Sequence, residues 1–216
     1  PSLLTVANRA LAETAAEQML QLSAALPLIV DDDFSTTDYA WPLGHSTAAG
    51  GVTCDWLQAA GRYDTLIHTG NGPSWCSNGL EKVAKDFALT VDVALGRNSN
   101  SDVAVQFRVS DDGTTYYELR LNPQTQMVWF AFFSPAGATA IVSPTFAAEI
   151  NKTGSNRVTV LALGDTIALY LNDTLTASIS GASQTLDAGR VLVLMQLNES
   201  NADETLSLTH FVLRGK

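Results

Sequence analysis

SDVAVQFRVSDDGTTYYELRL, residues 101–121, decides the fold. Val103, Val105, Phe107 and Val109 alternate with Ala104, Gln106 and Arg108. Beyond Asp111-Asp112-Gly113-Thr114 the alternation resumes, with Tyr117, Leu119 and Leu121 set against Glu118 and Arg120. A period of two sends successive side chains to opposite faces of a strand, so the stretch reads as a β-hairpin with one apolar and one polar face. Pairing Val109 with Tyr117, Phe107 with Leu119 and Val105 with Leu121 keeps every apolar residue on one face. The same register sets Arg108 opposite Glu118 and Gln106 opposite Arg120. A one-residue slip would scatter both sets.

The same period recurs along most of the chain. Phe87, Leu89, Val91, Val93 and Leu95 form one run, and Val191, Val193, Met195 and Leu197 another. Val158, Val160 and Ala162 lead into Gly164-Asp165, a tight hairpin, and then Ile167, Leu169 and Leu171. Leu206, Leu208, His210 and Val212 make the last strand. Many short strands with turn residues between them indicate an all-β, antiparallel sandwich. Residues 40–80 depart from this pattern. They hold Trp41, Trp56, Trp75 and both cysteines in a Gly-rich setting, and read as long ordered loops with short strands.

Residues 3–26 have a different period. Leu4, Leu11, Ala15, Met19, Leu22 and Leu26 fall on one helical face, and Pro27 ends the segment. The chain thus divides into an N-terminal amphipathic helix or stalk, 1–27, and a sandwich, 28–216. The large residues of the stripe need cover. The helix packs on its own domain or on a second copy as a homodimer contact; the alternative is a stalk to something N-terminal.

Formal net charge is −10, and Lys and Arg are not clustered. A phosphate backbone would be repelled, which excludes nucleic acid as a partner. No apolar run reaches the roughly 20 residues that span a bilayer, so this segment does not insert in a membrane. Cys54 and Cys76 pair as a disulfide if the protein is exported, and are two buried thiols if it is not.

Four stretches carry a family resemblance. They are Asp31-Asp32-Asp33-Phe34, DFALTVDV at 86–93, the hairpin at 103–121, and NRVTVLALGDTIALYLND at 156–173. Together they resemble the concanavalin A-like lectin/glucanase superfamily, within it the laminin-G-like and 3-keto-disaccharide-hydrolase-like bacterial domains. The resemblance implies a jelly roll, an extracellular, periplasmic or cell-surface location, and a site on the central sheet. It leaves activity open, because the fold hosts lectins, binding modules, hydrolases and sensors.

Gln106, Arg108, Glu118 and Arg120 are the candidate ligand-binding residues, on the polar face of the hairpin. Guanidinium forks and carboxylates suit sugar hydroxyls or an acidic sugar. Trp75 and Trp41 are candidate stacking platforms. Trp56 reads as packed beneath loops, and Trp129 as core. Asp31 and Asp33 share a strand face and are candidate ligands for a structural Ca²⁺; no other cofactor is implied. The Glu-x-Asp-x-x-Glu run of the superfamily's retaining glucanases is absent, which leaves Glu118 as the one candidate acid/base. The expected function is non-catalytic recognition of carbohydrate. The alternatives are a glycoside-processing hydrolase using Glu118, and a sensory or structural ectodomain that contacts protein.

Overall fold

The structure is a computed structural model that describes residues 6–96, 100–181 and 188–216. Helix α1 (Val6–Ala24) leads into fifteen strands: β1 (Leu28–Asp32), β2 (Gly44–Thr47), β3 (Thr53–Ala59), β4 (Arg62–His68), β5 (Ser74–Ala84), β6 (Phe87–Leu95), β7 (Ser101–Val109), β8 (Tyr116–Asn122), β9 (Met127–Ser134), β10 (Gly137–Phe146), β11 (Asn156–Leu163), β12 (Thr166–Leu171), β13 (Thr174–Ile179), β14 (Gly189–Leu197) and β15 (Asp203–Gly215). One sheet has nine strands in the order β13-β12-β11-β6-β15-β4-β3-β2, with β1 also on β15. The other has six, in the order β10-β9-β8-β7-β14-β5. Every pairing is antiparallel, and the apolar faces of the two sheets close on one another. The architecture is an all-β jelly-roll sandwich.

The alternating runs explain the core. Val103, Val105, Phe107, Tyr117, Leu119 and Leu121 from the six-stranded sheet meet Phe87, Leu89, Val91, Val93, Val158 and Val160 from the other, all at or below 1% exposure. Burying one such large side chain contributes roughly 1.5–3 kcal/mol. Short turns hold the strands in place. Gly164 takes φ +59 between the paired Leu163 and Thr166, as the first central residue of a II′ turn requires. Asn172 and Asp173, at φ +48 and +65, form a I′ turn between β12 and β13.

The β7–β8 hairpin keeps its predicted faces but not its predicted register. Phe107 pairs with Tyr117, Val105 with Leu119 and Val103 with Leu121, which sets Gln106 opposite Glu118 and Ala104 opposite Arg120. The cause lies at Arg108, which sits at φ +49 and bends the strand out of the ladder. Val109 pairs with Arg190 of β14 instead. Gly189 allows this bend, because a Cβ there would collide with the Arg108 and Val109 backbone.

Residues 40–80 are mostly strand, not long loops. β2, β3 and β4 form a meander at one edge of the nine-stranded sheet, and β5 edges the other sheet. Cys54 of β3 and Cys76 of β5 form a disulfide that ties the two sheets together.

The helix lies across the outer face of the nine-stranded sheet. Ala16 and Met19 pack on Leu161, Ala168 and Tyr170. Among its described side chains the buried ones are Ala16, Met19 and Ser23, with Leu26 buried just past its end, whereas Leu22 is 63% exposed and Ala15 faces solvent. The predicted stripe is therefore rotated. Small residues at 16 and 23 let the helix approach the sheet, and Ser23 Oγ satisfies itself on Leu20 O. Leu4 lies outside the described residues, as does the side chain of Leu11. No helix among the described residues is long and apolar enough to cross a membrane.

Candidate functional site

The outward side of the six-stranded sheet carries the polar half of each alternation. β8 contributes Tyr116, Glu118, Arg120 and Asn122, because Tyr117, Leu119 and Leu121 point into the core. By the same parity β7 offers Asp102 and Gln106, β14 offers Leu194 and Gln196, β9 offers Trp129 and Phe133, and β5 offers Trp75. Trp75, Gln106, Gly113, Tyr116, Glu118, Arg120, Leu194 and Gln196 line a cleft of about 300 Å³.

Arg120 anchors the cleft. Its Nε and Nη2 donate to Glu118 Oε1 at 3.0 and 2.6 Å, and its Nη1 donates to Gln196 Oε1 at 2.6 Å. Its guanidinium also lies 5.2 Å from the Trp129 ring centroid, a cation–π contact. Glu118 is 1% exposed, and its Oε2 accepts from Gln106 Nε2 at 2.8 Å. Charge-assisted bonds of this kind hold both partners in one orientation. Behind Arg120, Asp102 accepts from Asn122 Nδ2 at 2.9 Å and Asn198 Nδ2 at 3.0 Å. Tyr116 stacks on Phe133 at 4.8 Å. Burial, with the Glu118 charge adding to it, raises the Tyr116 pKa, so its hydroxyl stays protonated at neutral pH.

Trp75 stands differently. It is 67% exposed at the rim of the same cleft. A large aromatic side chain with so much of its surface in water, next to a polar cleft, is the usual mark of a contact surface.

Four predicted residues thus converge: Gln106, Glu118, Arg120 and Trp75. Arg108 does not join them. It is 3% exposed, and its Nη2 donates to Lys85 O at 3.1 Å and Gly164 O at 2.7 Å, so it bridges two turns at one end of the sandwich. The positive φ at Arg108 is what removes it from the outer face. Trp41 is not a platform either. It is 5% exposed, donates from Nε1 to Asp32 Oδ2 at 2.8 Å, and packs on Phe34, Tyr63 and Phe211. Trp56 is half-buried and donates to Asn78 Oδ1 at 2.7 Å. Trp129, expected in the core, lies on the site face instead, since Val128 and Phe130 take the inward positions of β9.

Asp31 and Asp33 are both exposed and are engaged separately. Asp31 is bonded to His210 Nε2 at 3.1 Å, and Asp33 accepts from Ser35 N at 2.9 Å. Among the described residues, no three His, Cys, Asp or Glu converge on a metal position.

Sequence reasoning missed Gln196, Asp102, Asn122, Asn198 and Tyr116. Period two already puts Gln196 on the outer face of β14. What the sequence does not display is that β14 lies beside β7, because that neighbour is almost ninety positions away in the chain.

No family model matches this chain, and no curated protein does. Solved structures do. A β-glucanase of Bacillus licheniformis superposes with a TM-score of 0.64 at 11% identity, covering 89% of this chain and 99% of that one. The fold is the concanavalin A-like jelly roll. A prokaryotic β-1,3-1,4-glucanase (lichenase) from a mouse hindgut metagenome superposes on this jelly roll with a TM-score of 0.65 at 12% identity, covering 87% of this chain and 99% of its own. The carbohydrate-binding module CBM66 from Bacillus subtilis gives 0.53 at 17% identity, over 75% of this chain and 96% of that module. At such identities the likeness is one of fold.

Proposed function

We propose that this chain is a non-catalytic carbohydrate-recognition domain acting outside the cytosol. The observation that carries this reading is the pairing of a fixed polar floor with an exposed aromatic rim. Arg120, held by Glu118 and Gln196, lines the cleft together with the 67%-exposed Trp75. Sugars need both features. Their hydroxyls bond to preorganised donors and acceptors, and their C–H faces stack on aromatic rings. The sheet-to-sheet disulfide fits an oxidising compartment. The carbohydrate-binding module and glucanases that share the fold support the same ligand class.

A glycoside hydrolase using Glu118 is the second reading, favoured by the glucanases among the similar structures and by the place of Glu118 in the cleft. The geometry supports it less. Both Glu118 oxygens already accept hydrogen bonds, and Glu118 is the one carboxylate among the described residues lining the cleft. Hydrolysis by the superfamily's usual chemistry needs a pair of carboxylates flanking the bond.

A glycan array probed with the full chain, with Trp75→Ala alongside, tests the proposal. Binding to a defined set of glycans that the variant loses is the expected result. Hydrolysis of any bound glycan by the wild type, abolished in Glu118→Gln, would establish the second reading instead.

A further inference from the structure

We infer that the cleft selects uncharged sugars over acidic ones, and that Glu118 sets this selection; the inference rests on the carbohydrate reading above. An arginine in a sugar site ordinarily invites a carboxylate, because its fork matches one bidentately. Here the Nε–Nη2 edge of that fork is already occupied. Glu118 Oε1 takes Nε at 3.0 Å and Nη2 at 2.6 Å. The Glu118 side chain is only 2% exposed, so water screens its charge little.

The charge balance extends past this pair. Asp102 Oδ2 lies 3.9 Å from Arg120 Nη1, with its side chain 15% exposed. Asp102 bonds to Asn122 and Asn198, which are neutral and leave its charge in place. Two carboxylates therefore surround one guanidinium, on a chain of net charge −10. A uronate carboxylate arriving here meets an excess of negative charge.

Hydroxyl groups fare otherwise. Glu118 and Gln196 take three of the five guanidinium N–H groups, which leaves two to donate to sugar oxygens. Gln106 spends its amide N–H on Glu118, which turns its carbonyl oxygen into an acceptor for a sugar hydroxyl. The Tyr116 phenol adds a neutral donor on the cleft wall. This set pairs with neutral, vicinal hydroxyls and offers nothing to balance a ligand charge. Glu118 acts through Arg120 and is thus a positioning and selectivity residue.

The test is calorimetric titration of the full chain at low salt with two length-matched oligosaccharide sets. One set is neutral, gluco- and fructo-oligosaccharides; the other is uronic, oligogalacturonates and oligoguluronates. The wild type should bind a neutral member about tenfold or more tighter than any uronic one, since like charges oppose each other across a contact. Glu118→Gln, which unmasks Arg120 while keeping the side-chain shape, should gain about tenfold for the uronic set. Tighter wild-type binding of a uronic oligosaccharide would overturn the inference and leave the carbohydrate reading standing. No binding by either set would overturn both. Should the variant fail to fold by circular dichroism, the wild-type comparison decides alone.

Discussion

Arg120 and Glu118 stand two positions apart on strand β8, point to the same side, and share one oxygen: Nε and Nη2 of the arginine both donate to Oε1 of the glutamate. The pair links stability to recognition. Arg120→Ala removes a donor set from the cleft and leaves a 1%-exposed carboxylate bonded to neutral Gln106. Removing one partner of a buried pair costs about 3 kcal/mol or more. Urea denaturation of Arg120→Ala should show that loss, and glycan binding should vanish with it.

Trp75→Ala should separate the two effects. The side chain is 67% exposed, so its loss should change stability by less than about 0.5 kcal/mol. Binding should still fall by tenfold or more, about the worth of one stacking contact at a site of this kind. Trp41→Ala should behave in the opposite way. Trp41 is 5% exposed inside an aromatic cluster, and its truncation should destabilise by about 3–5 kcal/mol. Paired thermal melts and titrations check both.

Arg108 supplies a third contrast. Its guanidinium bonds to Lys85 O and Gly164 O, away from the cleft. Hydrogen bonds from a charged donor contribute about 1.5–3 kcal/mol each. Arg108→Ala should lower the urea midpoint, while the folded fraction binds glycan with wild-type affinity.

How far this was legible in the sequence is shown by the same residue. The faces of β7 and β8 were readable, because period two fixes parity and a shift by two positions preserves it. The register was not, because nothing local marks Arg108 as a left-handed bend. That conformation depends on Gly189, which opens the neighbouring strand β14 more than eighty positions later. The outcome for the site was uneven. Glu118, Gln106 and Arg120 stayed together, since their parity held, and Arg108 left. The tryptophans show the other limit. Trp41, Trp75 and Trp129 are of one residue type in apolar or Gly-rich contexts, and only the packing of β9 and of the aromatic cluster sorts them.

The disulfide between Cys54 and Cys76 closes a separation of 22 positions and joins the sheets. In the chain-entropy picture such a link contributes about 3 kcal/mol. Reduction with dithiothreitol should lower the melting temperature by several degrees. A Cys54→Ser/Cys76→Ser double variant should match the reduced protein.

Stability should fall at alkaline pH. Tyr63 is fully buried and donates to Pro42 O at 2.6 Å; burial raises its pKa above the ordinary tyrosine value of 10.0. Burial raises Tyr117 and Tyr170 as well. The folded state thus holds the protonated phenols that the unfolded chain ionises near pH 10. Their contribution is complete below that pH and is lost as pH rises through the raised folded values. Urea midpoints should be flat from pH 7 to 9 and drop above about 10, with a shallower drop in Tyr63→Phe.

The most direct test of the central claim is the glycan array of the wild-type chain beside Trp75→Ala, with circular dichroism to confirm that both fold. Recognition on the outer face of the six-stranded sheet requires selective glycan binding by the wild type and its loss in a variant that melts at the same temperature. Binding that survives Trp75→Ala, or no binding by the wild type at all, would contradict it.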